Sequence, residues 1–337
     1  MLQELPIDSR AWASFVEGAP DVLPFHHPAW ATTLSAAYGF RAFALAIASS
    51  DGSLVAGVPV VEISHWLGAR RWASLPFSDM CPPLVPPHLE LELAHELDEA
   101  RAAAGVVTFD LAGQLAGCVE TGAHDRLQHV LTLTDDLDAV ERRYRSSTRR
   151  NIRTARTHDL VVRDGHQQSD LTDAFYGLQV LTRRRLGLPP QPRRFFRALW
   201  RDVVETGLGS VVLVERKGRA VAGAVFLRHR DVVVYKFGAS DPTALRLRPN
   251  NLLFAEAIAR AAASGVRLFH FGRSQVEDEG LRQFKTGWGA VEEALPYSVL
   301  GRVRTTSPTP GVVRAVVRRS PRFVARGLGE ILYRYAA

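Results

Sequence analysis

The sequence predicts an α/β protein of two tandem units, each a mixed, mostly antiparallel sheet flanked by helices, followed by a basic tail. Three observations carry this reading. The segments DGSLVAGVPVV (51–61) and KGRAVAGAVFL (217–227) lie over each other without a gap, each with a turn glycine, then Val-Ala-Gly, then an apolar strand. Their surroundings repeat as well. A short strand precedes each, FALAIA (43–48) and SVVLVE (210–215), and aromatic-rich helical segments lie upstream: PAWATTLSAAYGF in the first half, DAFYGLQVLTRRRLG and RRFFRALWRDVVETG in the second. Finally, an apolar strand, a helix and a second strand follow one another over 232–271 at a spacing that fits a right-handed βαβ crossover.

The first unit runs to about residue 165, and its meander leads through a crossover helix at 89–104 into the strand VVTFDL (106–111). The second unit spans 166–300 and the tail 301–337. Within the second unit the strand 232–237 ends in the turn-rich stretch 238–249. A helix over 252–263 follows, capped by Asn250 or Asn251, with Glu256 and Arg260 at i,i+4 and Gly265 as its stop. It is apolar almost all round and is expected to lie buried against a sheet. The strand 266–271 then runs parallel to the first. In such a unit the C-terminal ends of both strands and the helix N-terminus share one sheet edge. Gly238, Ser240, Asn250, Asn251, Gly272, Arg273 and Ser274 therefore meet beside free backbone N–H groups, a candidate anion or oxyanion site.

At 337 residues, 46% hydrophobic and 23% charged, the chain has material for two ordinary domains. Cys81 and Cys118 are its two cysteines, with no CxxC and no metal-ligand spacing, so neither a disulfide framework nor a metal site is predicted and a cytoplasmic setting is expected. The N-terminus MLQELPIDSRAW has no apolar h-region and no uninterrupted apolar run reaches about 18 residues, so neither secretion nor a membrane span is expected. The net charge of +7 is unevenly placed: 301–337 holds eight arginines against one glutamate, and residues 1–300 balance. That tail interleaves apolar residues with arginine and is broken by Pro321. It reads as two short basic amphipathic helices, either packed back on the body or set against anionic lipid at the inner face of the membrane. In ERRYRSSTRRNIRTARTH, Arg142, Arg145, Arg149, Arg153 and Arg156 recur at spacings of three and four. This stripe is a solvated face or a surface for phosphate-bearing partners: nucleic acid, a nucleotide sugar, a lipid pyrophosphate or an anionic membrane surface.

A meander, a helix and then a parallel strand is an order that resembles the GNAT acyltransferase fold. Two such GNAT-like units in one chain resemble the Fem-type aminoacyltransferases and their shorter bacterial relatives. The resemblance covers most of 25–300 and is carried by WASLPFSDMCPPLV, RRNIRTA, FYGLQVLTRRRLG, YKFGAS followed by RPNNLLFAEAI, and FGRS with GLRQFKTGWGA. It implies transfer of an acyl or aminoacyl group to an amine of a cell-envelope or other small-molecule precursor. No bound cofactor is implied, but an activated donor is required, aminoacyl-tRNA or acyl-CoA. Such chemistry needs an unprotonated amine, a carbonyl held in line and donors for the tetrahedral oxyanion. Nothing looks like a covalent nucleophile: no GxSxG occurs, and Cys81 and Cys118 stand outside any Cys-His motif. Direct attack by the amine is expected.

The resemblance implies that Lys285 in FKTGWG sits against donor or acceptor phosphate, where an exposed helical lysine would otherwise be merely solvated. It likewise gives Arg185, in the T-x-x-R of LTRRRLG, a substrate-binding role, and sets Asp79 in the acceptor channel of the first unit, the alternative being a turn-capping aspartate. From the residues themselves, Arg273 leaves the second parallel strand at the active edge, where it meets substrate or pairs with Asp278 or Glu279. Tyr235 and Lys236 end the first parallel strand and point to opposite faces. Glu277, Asp278 and Glu279 are carboxylates available as a general base, with Asp278 the expected catalytic residue. Ser240, Asn250, Asn251, Tyr235 and Trp288 complete the expected substrate contacts, while His270 reads as a satisfied core residue.

Two departures bear on the donor and acceptor. An acyl-CoA-using GNAT enzyme normally carries Q/R-x-x-G-x-G/A at the helix N-terminus, and here RLRPNNLL has no glycine and a proline without an N–H, which disfavours CoA. The first-helix lysine of Fem enzymes is absent from WATTLSAAYGF, and no heptad run is long enough for their coiled-coil arm. Two other readings therefore stand beside the Fem-like one: an acyl-CoA-dependent N-acyltransferase of the same fold, and a non-catalytic protein docking on nucleic acid or membrane through its arginines.

Overall fold

The computed structural model describes residues 1–64, 70–122 and 125–303, with positions 315, 317–321, 324, 327 and 329 beyond them. The pair of amphipathic helices predicted for 301–337 lies for the most part outside the described residues. The first half runs β1 (Leu2–Pro6), α1 (Arg10–Gly18), α2 (Pro28–Tyr38), β2 (Arg41–Ala48), β3 (Leu54–Ser64), β4 (Arg70–Ala73), α3 (Glu90–Ala103), β5 (Thr108–Leu111), β6 (Val119–Thr121), β7 (Arg126–Thr132), α4 (Leu137–Arg142), α5 (Ser146–Arg156) and β8 (Leu160–Asp164). The second continues with α6 (Tyr176–Leu186), α7 (Arg193–Leu199), β9 (Gly209–Arg216), β10 (Arg219–His229), β11 (Val232–Ser240), α8 (Pro249–Ala263), β12 (Leu268–His270), β13 (Ser274–Gln275), α9 (Glu279–Thr286), β14 (Val291–Ala294) and β15 (Tyr297–Gly301).

Two sheets result, in the orders β1-β2-β3-β4-β5-β15-β6 and β13-β7-β12-β11-β10-β9-β8, with β14 added on β7. Each contains one parallel pair, β4 with β5 and β11 with β12, and the remaining pairs are antiparallel. The helices α3 and α8 supply the two crossovers, as the spacing requires. α8 is buried along most of its length and packs through Leu252, Leu253 and Ile258 on a core with Phe226, Val233 and Phe269. It begins at Pro249, earlier than predicted, where a missing N–H costs nothing. Its N-cap is Arg248 with φ 60°, so neither Asn250 nor Asn251 caps it.

The sheets do not divide at residue 165. β7 and β8 precede that point yet belong to the second sheet, and β15 follows α9 yet enters the first sheet between β5 and β6. Neither RLQHVLT nor YSVLG stands out as a strand by composition, and each is placed by its partners. The aromatic helices predicted upstream of each meander share one core. Trp30 and Tyr38 of α2 pack on Phe195 of α7, and Phe195 and Phe196 pack on Phe237 of β11. The arginine stripe spans two helices, since the chain turns between α4 and α5, and all five arginines are exposed. Among the described residues no helix is long and apolar enough to cross a membrane, and no group of His, Cys, Asp or Glu could hold a metal ion.

The repeated Val-Ala-Gly has a physical basis. A Cβ on Gly57 of β3 would come within 3.0 Å of the Trp12 ring and 2.9 Å of the Leu45 carbonyl oxygen. One on Gly223 of β10 would come within 3.1 Å of the Phe175 ring and 2.8 Å of Leu213 Cδ2. In both units an aromatic ring lies flush on the bare strand. Gly57→Val and Gly223→Val are each expected to lower the unfolding free energy by about 1–3 kcal/mol in urea titration. Gly177→Ala, on a helix with open space at its Cβ, is expected to be neutral or slightly stabilising.

Candidate active site between the two units

The site forms where β11 and β12 part. They pair from Val232–Leu268 to Val234–His270, and beyond that the chain turns at Gly272, whose φ is 70°. A Cβ there would lie 3.0 Å from Asp79 Oδ2 and 3.1 Å from the Tyr235 carbonyl oxygen, so only glycine lets the 74–83 loop of the first unit close on this turn. Both units line the resulting cleft of about 750 Å³, with Arg71, Asp79 and Asp110 from one side and Arg183, Lys236 and Arg273 from the other.

Lys236 is 6% exposed at its side chain and holds its Nζ 3.3 Å from Asp79 Oδ2. The rings of Phe25, Trp30 and Phe237 surround that ammonium at 5.4, 5.8 and 5.3 Å. Burial lowers the Lys236 pKa, and the Asp79 carboxylate pulls it back up. The Asp79 backbone is fixed too: the Tyr297 hydroxyl donates to its carbonyl oxygen at 2.6 Å and accepts from Arg273 Nη1 at 3.3 Å. Behind the cleft wall Lys285 is buried, and its Nζ donates to the carbonyl oxygens of Gly272 and Arg273, both at 2.9 Å. Burial brings its pKa down to about 8, with Asp79 and Asp278 opposing. Lys285 is thus no solvated helix lysine: it tethers the turn that aims Arg273 into the cleft.

Of the residues singled out in the sequence, Asp79, Lys236, Gly238 and Arg273 line the cleft, with Lys285 directly behind it. Arg273 meets Tyr297 in place of the Asp278 or Glu279 expected for it. Asp278 instead caps α9, accepting from the Leu281 N–H, and Glu277 and Glu279 are likewise exposed and outside the cleft lining. Arg185 is exposed on α6 and does not line the cleft, whereas Arg183 does, two positions round the helix. Tyr235 and Lys236 part at the end of β11 as alternation requires, and the position of α8 decides the faces: Lys236 turns to the cleft, and Tyr235 turns to α8, 4.8 Å from the Phe254 ring. Ser240 is buried, its backbone N–H donating to Thr182 Oγ1 at 3.0 Å, and neither Asn250 nor Asn251 lines the cleft. Trp288 is core, completely buried against Tyr144 and Phe254. His270 is buried as expected but unsatisfied at Nδ1, and burial lowers its pKa to about 4. Sequence reasoning missed Tyr297 and Arg126, since nothing in the chain signals where β15 and β7 enter their sheets.

The N-terminus of α8 fits a CoA pyrophosphate poorly. Pro249 has no N–H, and the N–H groups of Asn251 and Leu252 both donate to the Arg248 carbonyl oxygen, at 3.0 and 3.3 Å. Asn250 alone in this turn keeps an N–H outside these bonds, so no cradle of backbone amides forms. Backbone bonds span the equivalent gap of the first unit, whose Ser74, Asp110 and Ala112 line the same cleft. Ser74 N–H donates to Asp110 O, Ala112 N–H to Ser74 Oγ, and Cys81 N–H to Ala112 O, at 2.8, 2.7 and 2.7 Å. Cys81 is buried with its thiol pKa pushed up by desolvation, which removes it as a nucleophile.

Because the Lys285 pKa is lowered on folding, the unfolded chain binds its proton more tightly, and stability from this group rises with pH from about 8 to the ordinary lysine range. Relative to Lys285→Met, the wild type is expected to gain up to ~3 kcal/mol between pH 7.5 and 10.5, read from urea unfolding at each pH. A difference that stays flat with pH would show that Lys285 is not buried as a cation.

Residues 142–286 match the family of Acetyltransferase (GNAT) domains. No curated protein matches the chain by sequence. Among solved structures, FemX superposes with a TM-score of 0.69 at 15% identity, over 88% of this chain and 96% of that one. The C-terminal domain (DUF2156) of a putative lysylphosphatidylglycerol synthetase from Agrobacterium fabrum gives 0.55 at 14%, over 94% and 96%. L-PGS from Bacillus licheniformis gives 0.55 at 12%, over 94% and 97%. The chain thus carries an Acetyltransferase (GNAT) domain over 142–286 and shares its fold, over most of its length, with FemX.

Proposed function

We propose that the protein is an amine acyltransferase. It moves an acyl or aminoacyl group from an activated donor, aminoacyl-tRNA in preference to acyl-CoA, to an amine of a cell-envelope or other small-molecule precursor by direct attack. The observation that carries this reading is the buried Asp79–Lys236 pair, with Arg273 beside it, facing a cleft that no described histidine or cysteine lines. A carboxylate and two cations suit an amine substrate and a developing oxyanion, and the lack of a nucleophile–base pair favours a single displacement over an acyl-enzyme.

Asp79 takes one proton from the incoming ammonium. The freed amine forms the N–C bond at the donor carbonyl, and Lys236 and Arg273 stabilise the oxyanion. As the bond to the leaving oxygen breaks, that oxygen takes the second N–H proton, giving amide and alcohol. Shielding by Phe25, Trp30 and Phe237 strengthens the field of Lys236 on that oxygen, and a pair already in place costs no reorganisation during reaction. The preference for tRNA is supported by the poor CoA cradle at α8 and by the shared fold with FemX.

The test is the thermal midpoint at modest salt with acetyl-CoA, longer acyl-CoAs, and charged or uncharged tRNA. Charged tRNA is expected to raise it above the uncharged control. A shift with CoA species alone would assign a CoA donor. Binding that falls steeply with salt and ignores both the aminoacyl group and Asp79→Asn would replace the enzyme with a docking protein that uses the exposed arginine stripe.

In a transfer assay Asp79→Asn is expected to lower kcat by about 10²–10⁴. Leaving Lys236 buried and unpaired is also expected to cost it about 3–5 kcal/mol of stability. The double variant Asp79→Asn/Lys236→Met should regain stability without regaining activity, which separates the two effects.

A further inference from the structure

Where the two sheets meet, three chain segments bring two guanidinium groups onto one tyrosine. Arg126 opens β7, Arg273 directly precedes β13, and Tyr297 opens β15. Backbone pairing fixes all three: Gln275 pairs with Arg126 across β13 and β7, the Leu295 N–H donates to Arg126 O at 2.9 Å, and Tyr297 pairs with Thr121 of β6. The Arg126 guanidinium lies over the Tyr297 ring, 4.6 Å from its centre, and Arg273 Nη1 approaches the same residue's hydroxyl at 3.3 Å. All three line the cleft.

Neither guanidinium has a carboxylate within ion-pair distance among the described residues, although Asp79 acts on Arg273 from further away. Asp79 is engaged by Lys236, and Arg71 takes Asp110 at 2.8 Å. Arg126 Nη1 is buried so close to Gly122 that a Cβ there would collide with it, and it has no hydrogen-bond acceptor among the described residues. Asp125 also lines the cleft, but one carboxylate beside two arginines leaves this corner positive. Like charges held together on a rigid support, with no carboxylate in ion-pair contact among the described residues, favour an anion from outside. The corner adjoins the amine site, because the Tyr297 hydroxyl that accepts from Arg273 donates to the backbone of Asp79, the residue assigned to the amine.

Resting on the acyltransferase reading, we infer that the acceptor is a compact zwitterion: its amine meets Asp79 while a carboxylate on the same small molecule lies between Arg126 and Arg273. Planar, forked donors match a carboxylate, and the span of one tyrosine sets a short distance between the two charged ends. An amino acid or a peptide end carrying both groups fits this spacing. A neutral or purely cationic amine leaves the two arginines unpaired.

The experiment measures equilibrium binding without donor, by thermal shift and calorimetry, for the straight-chain amino acids with terminal amine and terminal carboxylate, from glycine to aminohexanoate. Their primary amides, simple alkylamines of equal length and inorganic phosphate serve as comparisons. The free carboxylates are expected to bind about tenfold to a hundredfold more tightly than their amides, with an optimum chain length. Arg126→Met and Tyr297→Phe are expected to abolish most of that difference, and Arg126→Lys to keep part of it. Equal binding of acids and amides overturns the inference, as does inorganic phosphate binding more tightly than any amino acid, which would assign the corner to a phosphate. These comparisons use the wild-type protein and stand even where a variant fails to fold. Binding without transfer to any donor would sink the acyltransferase reading and leave the subsite, whereas transfer to amines regardless of a carboxylate would sink the subsite alone.

Discussion

The ion pair between Asp79 and Lys236 is the contact on which the arrangement of the cleft depends. It joins a loop of the first unit to a strand of the second inside a wall of aromatic rings. Taking both charges out of water costs several kcal/mol, and the pair returns that only with good geometry, so apolar residues in their place would hold the units together at least as well. Stability therefore does not explain the pair. Its neighbours do: Gly272 has no side chain because Asp79 lies against it, Lys285 ties down the turn that follows, and Tyr297 bonds to the carbonyl of the same aspartate. Each feature would be unnecessary if the carboxylate were not being presented to the cleft.

The interlaced strands explain how a loop from one unit can be held so closely against the other. β7 crosses into the second sheet before that unit's own meander begins, and β15 returns to the first after it ends. Two crossings in opposite directions prevent the units from rotating apart without breaking a sheet. Both crossings pass the cleft, which is why residues 126 and 297 lie at its edge although 171 positions separate them. An active site between freely hinged domains would need a closing motion to assemble; here backbone pairing assembles it during folding.

The fold was legible because its signals were local. The paired Val-Ala-Gly strands, the apolar helix α8 and the short spacing to β12 each specify structure over a few residues, and together they fix the order of elements. The site was legible in part for the same reason. The βαβ rule places Arg273 and Gly272 at the edge, but it cannot tell that the α8 N-terminus stays out of the cleft lining, so Asn250, Asn251 and Ser240 were drawn in with them. In LTRRRLG a two-residue error in register exchanges a cleft arginine for an exposed one. Tyr235 and Lys236 show the limit plainly: alternation says that they part, and only the position of α8 says which goes where. Tyr297 carries no signal of its own, because its role comes from a strand whose partners lie far away in sequence.

The two units also show how a duplicated fold becomes asymmetric. Both have a parallel strand pair whose diverging ends open a gap, and in a lone unit that gap is where a substrate can reach backbone groups. In the first unit Ser74, Cys81 and Ala112 bond across it, so the backbone groups there are satisfied internally. Those bonds tie the 74–83 loop to the ends of β4 and β5, and the loop carries Asp79 to the other unit's gap. Asp79 thus brings a carboxylate from the first unit to a sheet edge of the second where Lys236, Lys285 and Arg273 already stand.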